Sequence, residues 1–321
     1  MPAVSVRVPA KINLVLSVGP LRPDGFHDVA TLFQAVSLYD EVTASPAADL
    51  RVTLSGPHTA GVTSDASNLA ARAVVALARR AGREPAVHLH LDKLIPVAGG
   101  LAGGSADAAG ALLACDRLWG LGLARSDLAD VAASLGSDVP FALLGGTAVG
   151  TGRGERLRPV SVVRELHWVV AVAAGGLSTP VVFGRLDDLR AAAPDTSVAA
   201  RAASTAAPDT SSGPVVPQVL LDALRDGDAT AIGAQLHNDL QVPALDLRPE
   251  LATTLAAARR LGALGGVVSG SGPTCVALAR DAAHADDLAA GLRREPACVA
   301  AHAVVGPAAP LVTPDGAPRS A

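Results

Sequence analysis

Aromatic residues are scarce in this chain of 321 residues, since Phe, Tyr and Trp together make up 2% of the sequence. Half of the residues are hydrophobic, so aliphatic side chains and alanine must fill the core. Each aromatic side chain is therefore a candidate for a more specific task. The length fits one large domain or two of medium size, and we expect two.

Lysine is almost absent as well, because only Lys11 and Lys93 occur among the 26 basic residues. The lysine ammonium is a compact charge that can point at one oxygen, whereas the arginine guanidinium is a flat fork. The use of lysine at these two positions therefore indicates that a compact charge is needed there. The formal net charge of -4, without a run of Lys or Arg, provides no basic patch for nucleic acid or an anionic membrane. We therefore expect neither as a partner, and both a monomer and a homodimer remain open.

Cysteine is rare, and Cys115, Cys275 and Cys298 lie too far apart for a disulfide framework or a zinc site. The N-terminus lacks the basic start and apolar stretch of a secretion signal, and no segment is long and apolar enough to span a bilayer. These absences predict a cytoplasmic protein. His88 and His90 could bind a metal from one strand face, but a polar outward face is the favoured interpretation.

A glycine-rich segment, PVAGGLAGGS at residues 96–105, follows an alternating strand pattern and precedes a helical pattern. Its backbone N–H groups beside a helix N-terminus would form a cradle for phosphate, because the helix dipole also favours anions. The segment is neither a Walker A loop nor a dinucleotide fingerprint. A turn for close packing is the alternative interpretation. Ser105 could cap the helix or bind Mg²⁺, and the sequence favours the cap.

Two ionisable residues could support phosphoryl transfer, which needs positioning, charge neutralisation and a group that accepts the hydroxyl proton. Lys11 and Asn13 share one face of the first predicted strand, and Asp138 lies between two glycine-rich stretches. Taken alone, Lys11 would be a surface lysine and Asp138 an N-cap ahead of Pro140. Together with the glycine-rich segment, they favour a shared cleft.

Helix signals mark two further elements of the N-terminal half. Asn68 is predicted to cap a helix that stops at Gly82. A second capped helix is predicted to begin at Ser126.

The chain starts afresh after about residue 160, which predicts domains at residues 1–160 and 161–306. The segment 190–217 is rich in Ala, Ser, Thr and Pro and contains APDTS twice, so we predict a flexible insert there. Residues 307–321 are predicted to form a disordered tail.

Four segments resemble the GHMP kinases in order and spacing: PAKINLVLSVGPLRPDGFHDVATLFQ, IPVAGGLAGGSADAAGAL, LGSDVPFALLGGTAVGTGRGE and GGVVSGSGPTCVAL. Within that superfamily, the first segment is similar to the kinases that act on 4-diphosphocytidyl-2-C-methyl-D-erythritol rather than on homoserine, mevalonate or galactose. The resemblance implies an α+β fold with an N-terminal nucleotide domain of mixed sheet and helices. It also implies a C-terminal ferredoxin-like domain, with the active site in the cleft between the two.

The same resemblance implies transfer of the ATP γ-phosphate to the 2-hydroxyl of the methylerythritol unit, with ATP and Mg²⁺ as cofactors. Asp138 matches the proton acceptor of the family, and Lys11 matches the lysine that holds the hydroxyl and the carboxylate in line. ATP binding is implied for Pro96, Val97, Ala98, Gly99, Gly100, Leu101, Ala102, Gly103, Gly104, Ser105 and Ala106. Substrate binding is implied for Asn13, Phe26, His27, Phe33, Thr179 and Phe183.

By this resemblance, Phe26 and Phe183 would stack the cytosine ring, while His27 would bond the base edge. Ala98 and Ala102 stand where the family often has glycine, and their methyl groups demand a negative φ. Asp107 stands where Asn is common, so it would face Mg²⁺ or cap the helix start. A GHMP kinase for another acceptor such as homoserine, and a non-catalytic nucleotide-binding module, are the alternatives.

Overall fold

The computed structural model describes residues 2–97, 99–192 and 213–314. The strands in these ranges are β1 (Val4–Leu21), β2 (His27–Pro46), β3 (Arg51–Ser55), β4 (Val87–Asp92), β5 (Thr147–Thr151), β6 (Arg156–Pro159), β7 (Leu166–Val172), β8 (His237–Asn238), β9 (Gly265–Val268), β10 (Cys275–Leu278), β11 (Ala300–Gly306) and β12 (Leu311–Pro314). The helices are α1 (Leu69–Arg80), α2 (Gly103–Trp119), α3 (Arg125–Leu135), α4 (Val139–Leu144), α5 (Thr179–Ala192), α6 (Gln218–Asp226), α7 (Ala229–Ala234), α8 (Gln241–Leu247), α9 (Leu251–Arg260) and α10 (Ala282–Leu292). None of the helices in these ranges has the length and apolar character that crossing a membrane requires.

The first sheet is built around the long antiparallel pair β1 and β2. Its order is β12-β1-β2-β4-β3, with β5 added to β2, β6 to β5 and β8 to β1. The alternating Val4, Val6 and Val8 face the core with α2 behind them, as period-2 patterning predicts. The pairing register of β1 with β2 shifts between Pro9 and Ala10. Lys11 and Asn13, at the alternate positions of β1, line a cleft together with the glycine-rich segment.

The second sheet has four antiparallel strands in the order β11-β7-β10-β9. In chain order this is 4-1-3-2, with α9 before β9 and α10 between β10 and β11, which is the ferredoxin-like arrangement. Its core joins Val169 and Ala277 of the sheet to Ala257 of α9 and Leu288 of α10. The α+β fold with a ferredoxin-like second unit is therefore confirmed.

One of the two predicted helix starts agrees with the structure. The Asn68 side chain accepts a hydrogen bond from the Ala70 N–H at the start of α1. The predicted cap at Ser126 is wrong, because α3 begins one residue earlier and the N-cap position belongs to Ala124 without a side-chain bond. The extended backbone of Ala124 (φ -62°, ψ 150°) ends the preceding loop there.

The change from the first sheet to the second falls between Pro159 of β6 and Leu166 of β7. The chain later returns to the first sheet, because β8 and β12 both pair with β1. The predicted disorder of residues 307–321 is therefore wrong for residues 311–314. Ala308 donates its N–H to the Ala35 carbonyl at 2.9 Å, which leads the chain along the sheet so that β12 can cover its edge.

Part of the predicted insert, residues 193–212, lies outside the described residues. Residues 190–192 complete α5, and residues 213–217 lead into α6. Flexibility of the remainder stays a prediction.

Candidate active site

A cleft of about 330 Å³ opens between the two sheets. Its walls come from β1 and β2, the glycine-rich segment, the start of α4, the start of α5 and the turn after β9. Ten of the predicted site residues line it: Lys11, Asn13, Phe33, Pro96, Gly99, Gly100, Ala102, Gly103, Gly104 and Asp138. Thr179 and Phe183 also line it and continue into a second lobe.

The glycine-rich loop packs directly on the later GSGP turn, residues 270–273. A Cβ atom on Gly100, where φ is +77°, would lie 2.2 Å from the Ser269 carbonyl oxygen, and one on Gly99 would lie 2.8 Å from Thr274 Oγ1. Thr274 also donates its N–H to the Gly99 carbonyl at 3.4 Å. Glycine is required here because no side chain fits between the two loops.

Two predictions about the loop are wrong. Ala102 has φ +58° at the N-cap position of α2, so its methyl group does not impose a negative φ. The backbone has to turn there to start α2, and an alanine in this left-handed region costs about 1–2 kcal/mol. Ser105 is not the helix cap, because it lies inside the first turn of α2.

The remaining loop residues have different surroundings. The side chains of Leu101 and Ala106 are buried in the hydrophobic core and shape the loop from behind. Val97 is exposed, and Ala98 lies outside the described residues. The loop therefore presents mainly backbone to the cleft, as a phosphate cradle requires.

Lys11 is buried in the cleft wall, with 8% of its surface exposed, so the surface-lysine interpretation is wrong. Its ammonium donates to Asn13 Oδ1 at 2.7 Å, and Asn13 Nδ2 donates to Thr31 Oγ1 at 2.7 Å. The Lys11 ammonium also lies 5.5 Å from the centre of the Phe33 ring. Burial lowers the pKa of Lys11, and the nearby Asp138 carboxylate opposes that shift.

Asp138 precedes α4, and its carboxylate lies 3.9 Å from the Lys11 ammonium. Asp138 occupies the N-cap position of α4, as one interpretation predicted, but its side chain makes no capping hydrogen bond and so stays available to the cleft. Its side chain is about one-third exposed to the cleft. An accessible carboxylate beside a buried ammonium can accept a proton from a bound hydroxyl group.

A second lobe of about 410 Å³ adjoins the first and contains the predicted aromatic residues. Phe26 is 44% exposed, and the Arg153 guanidinium lies 3.9 Å from the centre of its ring. His27 is buried, with its ring centre 5.1 Å from that of Phe183. Its Nδ1 lies 3.1 Å from the Gly19 carbonyl oxygen and its Nε2 lies 3.3 Å from Asp187 Oδ2.

Sequence reasoning missed Arg153 and Asp187, which both line the second lobe. Asp187 follows Thr179 and Phe183 at four-residue spacing on α5, which places all three on one helix face. That spacing is a signal that could have identified Asp187. Arg153 gives no such signal, because its position depends on the turn between β5 and β6 in space.

Asp107 neither caps α2 nor lines the cleft. It is buried, and its Oδ2 lies 2.5 Å from the Lys93 ammonium. Burial raises the pKa of Asp107 to about 7, Lys93 opposes the shift, and the neighbouring Asp40 adds to it. The Asp107 carboxyl group is therefore paired with Lys93 inside the domain and does not face the cleft.

His88, His90 and the three cysteines do not line either lobe of the cleft. His88 and His90 contact the hydroxyl of Thr53 on β3, at 2.8 and 2.9 Å. The three cysteines are buried. Throughout the described residues, no cluster of three or more His, Cys, Asp or Glu side chains could hold a metal ion.

Comparison with known proteins shows to which family the chain belongs. The family model for the "GHMP kinases N terminal domain" matches residues 68–146, and that for the "GHMP kinases C terminal" matches residues 220–298. The chain is 56% identical over 306 residues to a 4-diphosphocytidyl-2-C-methyl-D-erythritol kinase of Streptomyces avermitilis, with 95% of this chain and 98% of the relative covered. A kinase of the same name from Thermobifida fusca is 52% identical over 313 residues, with 95% and 96% covered.

Solved structures agree with the sequence relatives. A crystal structure of 4-(cytidine 5'-diphospho)-2C-methyl-D-erythritol kinase matches with a TM-score of 0.72 and 33% identity, covering 94% of this chain and 98% of that one. A homoserine kinase from Cytophaga hutchinsonii matches with a TM-score of 0.75 at 19% identity, covering 98% of both chains. The second match shows the shared fold.

The two matched regions contain the main parts of the cleft. The first includes the glycine-rich loop and Asp138, and the second includes the GSGP turn that packs on the loop. The relatives extend this match over nearly the whole chain at more than half identity. The resemblance inferred from four sequence segments is thereby confirmed, and the chain belongs to the 4-diphosphocytidyl-2-C-methyl-D-erythritol kinases of the GHMP kinase family.

Proposed function

We propose that this protein transfers the γ-phosphate of ATP to the 2-hydroxyl of 4-diphosphocytidyl-2-C-methyl-D-erythritol, in the non-mevalonate route to isoprenoid precursors. One observation carries the proposal. Lys11 and Asp138, 3.9 Å apart, face a cleft with a glycine-rich loop on one side and an aromatic lobe on the other. A nucleoside triphosphate on one side and a substrate that contains a base on the other can therefore both reach the Asp138 carboxylate.

The reaction assigns a separate task to each of the two charged residues. The acceptor oxygen attacks the γ-phosphorus, the bond from that phosphorus to the bridging oxygen of ADP breaks, and the hydroxyl proton passes to the Asp138 carboxylate. The Lys11 ammonium stabilises the negative charge that develops on the acceptor oxygen. Asn13, bonded to both Lys11 and Thr31, holds the ammonium in place.

The phosphates are proposed to lie on the glycine-rich loop, at the N-terminus of α2, where backbone N–H groups and the helix dipole favour anions. Mg²⁺, when bound, neutralises charge on the phosphate oxygens. This ion is usually held by one or two protein groups together with substrate phosphates. We assign the Ser105 hydroxyl as the protein ligand.

The aromatic lobe supports a cytidine-containing acceptor. Phe26 and Phe183 both line it and offer ring faces for stacking. His27 Nε2, which lies 3.3 Å from Asp187 Oδ2, would exchange that contact for a hydrogen bond to the base edge. Thr179 lies where the two lobes join and can reach the substrate phosphates. A small acceptor such as homoserine would leave this lobe unused.

The test is ADP release from ATP in the presence of Mg²⁺, with 4-diphosphocytidyl-2-C-methyl-D-erythritol, homoserine or mevalonate added in turn. We expect turnover with the cytidylated acceptor alone, and its loss in Asp138→Asn, which preserves the shape of the side chain. Turnover with homoserine or mevalonate would refute the acceptor, and ATP binding without any turnover would favour the non-catalytic module.

A further inference from the structure

Lys93, the second of the two lysines, is buried between two carboxylates that the proposed reaction does not use. Its ammonium contacts Asp40 Oδ2 and lies 2.5 Å from Asp107 Oδ2. Each of the three residues is 2% exposed or less. Taking charges out of water costs several kcal/mol per ion, so a buried cluster of this kind is poor evidence for stability alone. Its position in the fold points to another role.

Asp40 holds the chain at the point where it enters the glycine-rich loop. Its Oδ1 accepts the N–H groups of Leu94 at 2.7 Å and Ile95 at 2.8 Å. Pro96, the first residue of the loop, follows directly. The carboxylate thus fixes two consecutive peptide groups immediately before the loop begins.

Asp107 lies just beyond the other end of the loop, in the second turn of α2. The start of α2 also packs on the same cluster, because a Cβ atom on Gly103 would lie 3.2 Å from Ile95 Cγ2 and 3.6 Å from Asp40 Oδ2. The Lys93 ammonium therefore connects the two ends of the loop through one bridging cation. Among the described residues, Asp107 Oδ1 has no hydrogen-bond partner, so Lys93 is the contact that holds this side chain.

The geometry also accounts for a lysine in a chain that otherwise uses arginine. A compact ammonium can donate to two carboxylates from one point, whereas a planar guanidinium fork needs more space and fixed directions. Lys93 has practically no exposed surface. An arginine would have to displace either the start of α2 or the segment before the loop.

We propose that Lys93, Asp40 and Asp107 are positioning residues that hold the glycine-rich loop in the shape that receives the phosphates of ATP. The inference rests on the proposed ATP site. Fixing both ends of a short loop reduces the conformations that its backbone N–H groups can adopt, so less ordering is needed when the phosphates bind. The three residues act on ATP through the loop backbone and do not contact the acceptor lobe.

The decisive variant replaces the charges without leaving any of them unpaired: Lys93→Met, Asp40→Asn and Asp107→Leu together. Exchanging a buried ion cluster for neutral residues of similar size is often neutral or stabilising, so we expect the thermal midpoint to be retained. Because the loop ends are no longer tied by charge, we expect the dissociation constant of ATP to rise about tenfold or more. The Michaelis constant of the acceptor should stay unchanged. A matched control, Arg80→Met with Asp127→Leu, removes an ion pair between α1 and α3 and should change neither value.

A folded triple variant that binds ATP as tightly as the wild type would overturn the proposal and leave the cluster a structural role only. If the triple variant does not fold, Lys93→Arg decides, because it keeps the charge and changes only the geometry. It should weaken ATP binding at least about threefold, and unchanged ATP binding would equally overturn the proposal. Since ATP binding is measured without an acceptor, an error in the proposed acceptor would leave this result intact.

Discussion

The contact between the glycine-rich loop and the GSGP turn leads to a sharp prediction for Gly100→Ala. The added Cβ atom would lie 2.2 Å from the Ser269 carbonyl oxygen and 3.2 Å from the Gly272 nitrogen, whereas ordinary contacts begin at 3.4 Å. Both neighbours are backbone atoms, so neither can rotate away. The loop or the turn must move by about 1 Å to accept one methyl group.

The expected loss in the free energy of unfolding has two parts, a backbone part and a packing part, and a second glycine in the chain allows them to be measured separately. Gly82 also has a positive φ, +63°, but a Cβ atom there would meet nothing within 4 Å. Gly82→Ala should therefore lose only the cost of a left-handed alanine, about 1 kcal/mol. Gly100→Ala adds overpacking of about 1–3 kcal/mol, so its total loss should be about 2–4 kcal/mol.

The assay is urea unfolding of both variants, with the Michaelis constant for ATP measured in parallel. Because the loop must shift by about 1 Å, we expect kcat/KM for ATP to fall by about 100-fold in Gly100→Ala and to stay unchanged in Gly82→Ala. Equal free energies of unfolding for the two variants would refute the reasoning, since the loop and turn would then not be in the contact described. If Gly100→Ala is destabilised but its ATP kinetics are unchanged, the contact between the loop and the GSGP turn contributes to stability and not to phosphate binding.

Three further predictions concern the cleft and the buried thiols. Lys11→Met should lower kcat by about 100- to 1,000-fold, as loss of an oxyanion donor does. Its melting temperature should stay equal or rise because a desolvated charge is removed. Lowered stability with normal kcat would contradict the proposed role of Lys11 in stabilising the acceptor oxygen. Phe183→Ala should raise the Michaelis constant of the cytidylated acceptor by about tenfold through loss of stacking and leave that of ATP unchanged, so an effect on ATP alone would argue against a base in the second lobe. Cys115 and Cys275 should react with a thiol reagent only after unfolding, because burial raises the pKa of each to about 12; rapid labelling of the native protein at pH 8 would contradict their burial.

The parts of the site that the sequence could predict are those that can be recognised from neighbouring residues in the sequence. Glycines before a helix, a lysine and an asparagine two residues apart on a strand, and an aspartate between glycine-rich stretches together favour a shared cleft. The structure places Lys11, Asn13 and Asp138 around one cleft, as that spacing predicts. The ferredoxin-like unit could be expected only through the family resemblance.

The parts that could not be predicted depend on residues distant in the chain. Asp107 read alone is an excess negative charge near phosphate, and only the fold reveals that it pairs with the Lys93 ammonium inside the domain. The left-handed Ala102 contradicts its local preference because tertiary contacts around the loop determine the turn. Strand β12 was missed because Leu311, Val312 and Thr313 form too short a run, between Pro310 and Pro314, to predict a strand from the sequence.

The placement of β12 has a consequence for folding of the chain. Residues 4–7 of β1, the strand that bears Lys11, pair with residues 311–314 of β12, so the two partners come from opposite ends of the described ranges. Contacts of such long sequence separation are slow to form, and until then the edge of β1 is open to pairing with other chains. A chain divided near residue 160 would lose β12 from the first sheet and leave that edge of β1 exposed.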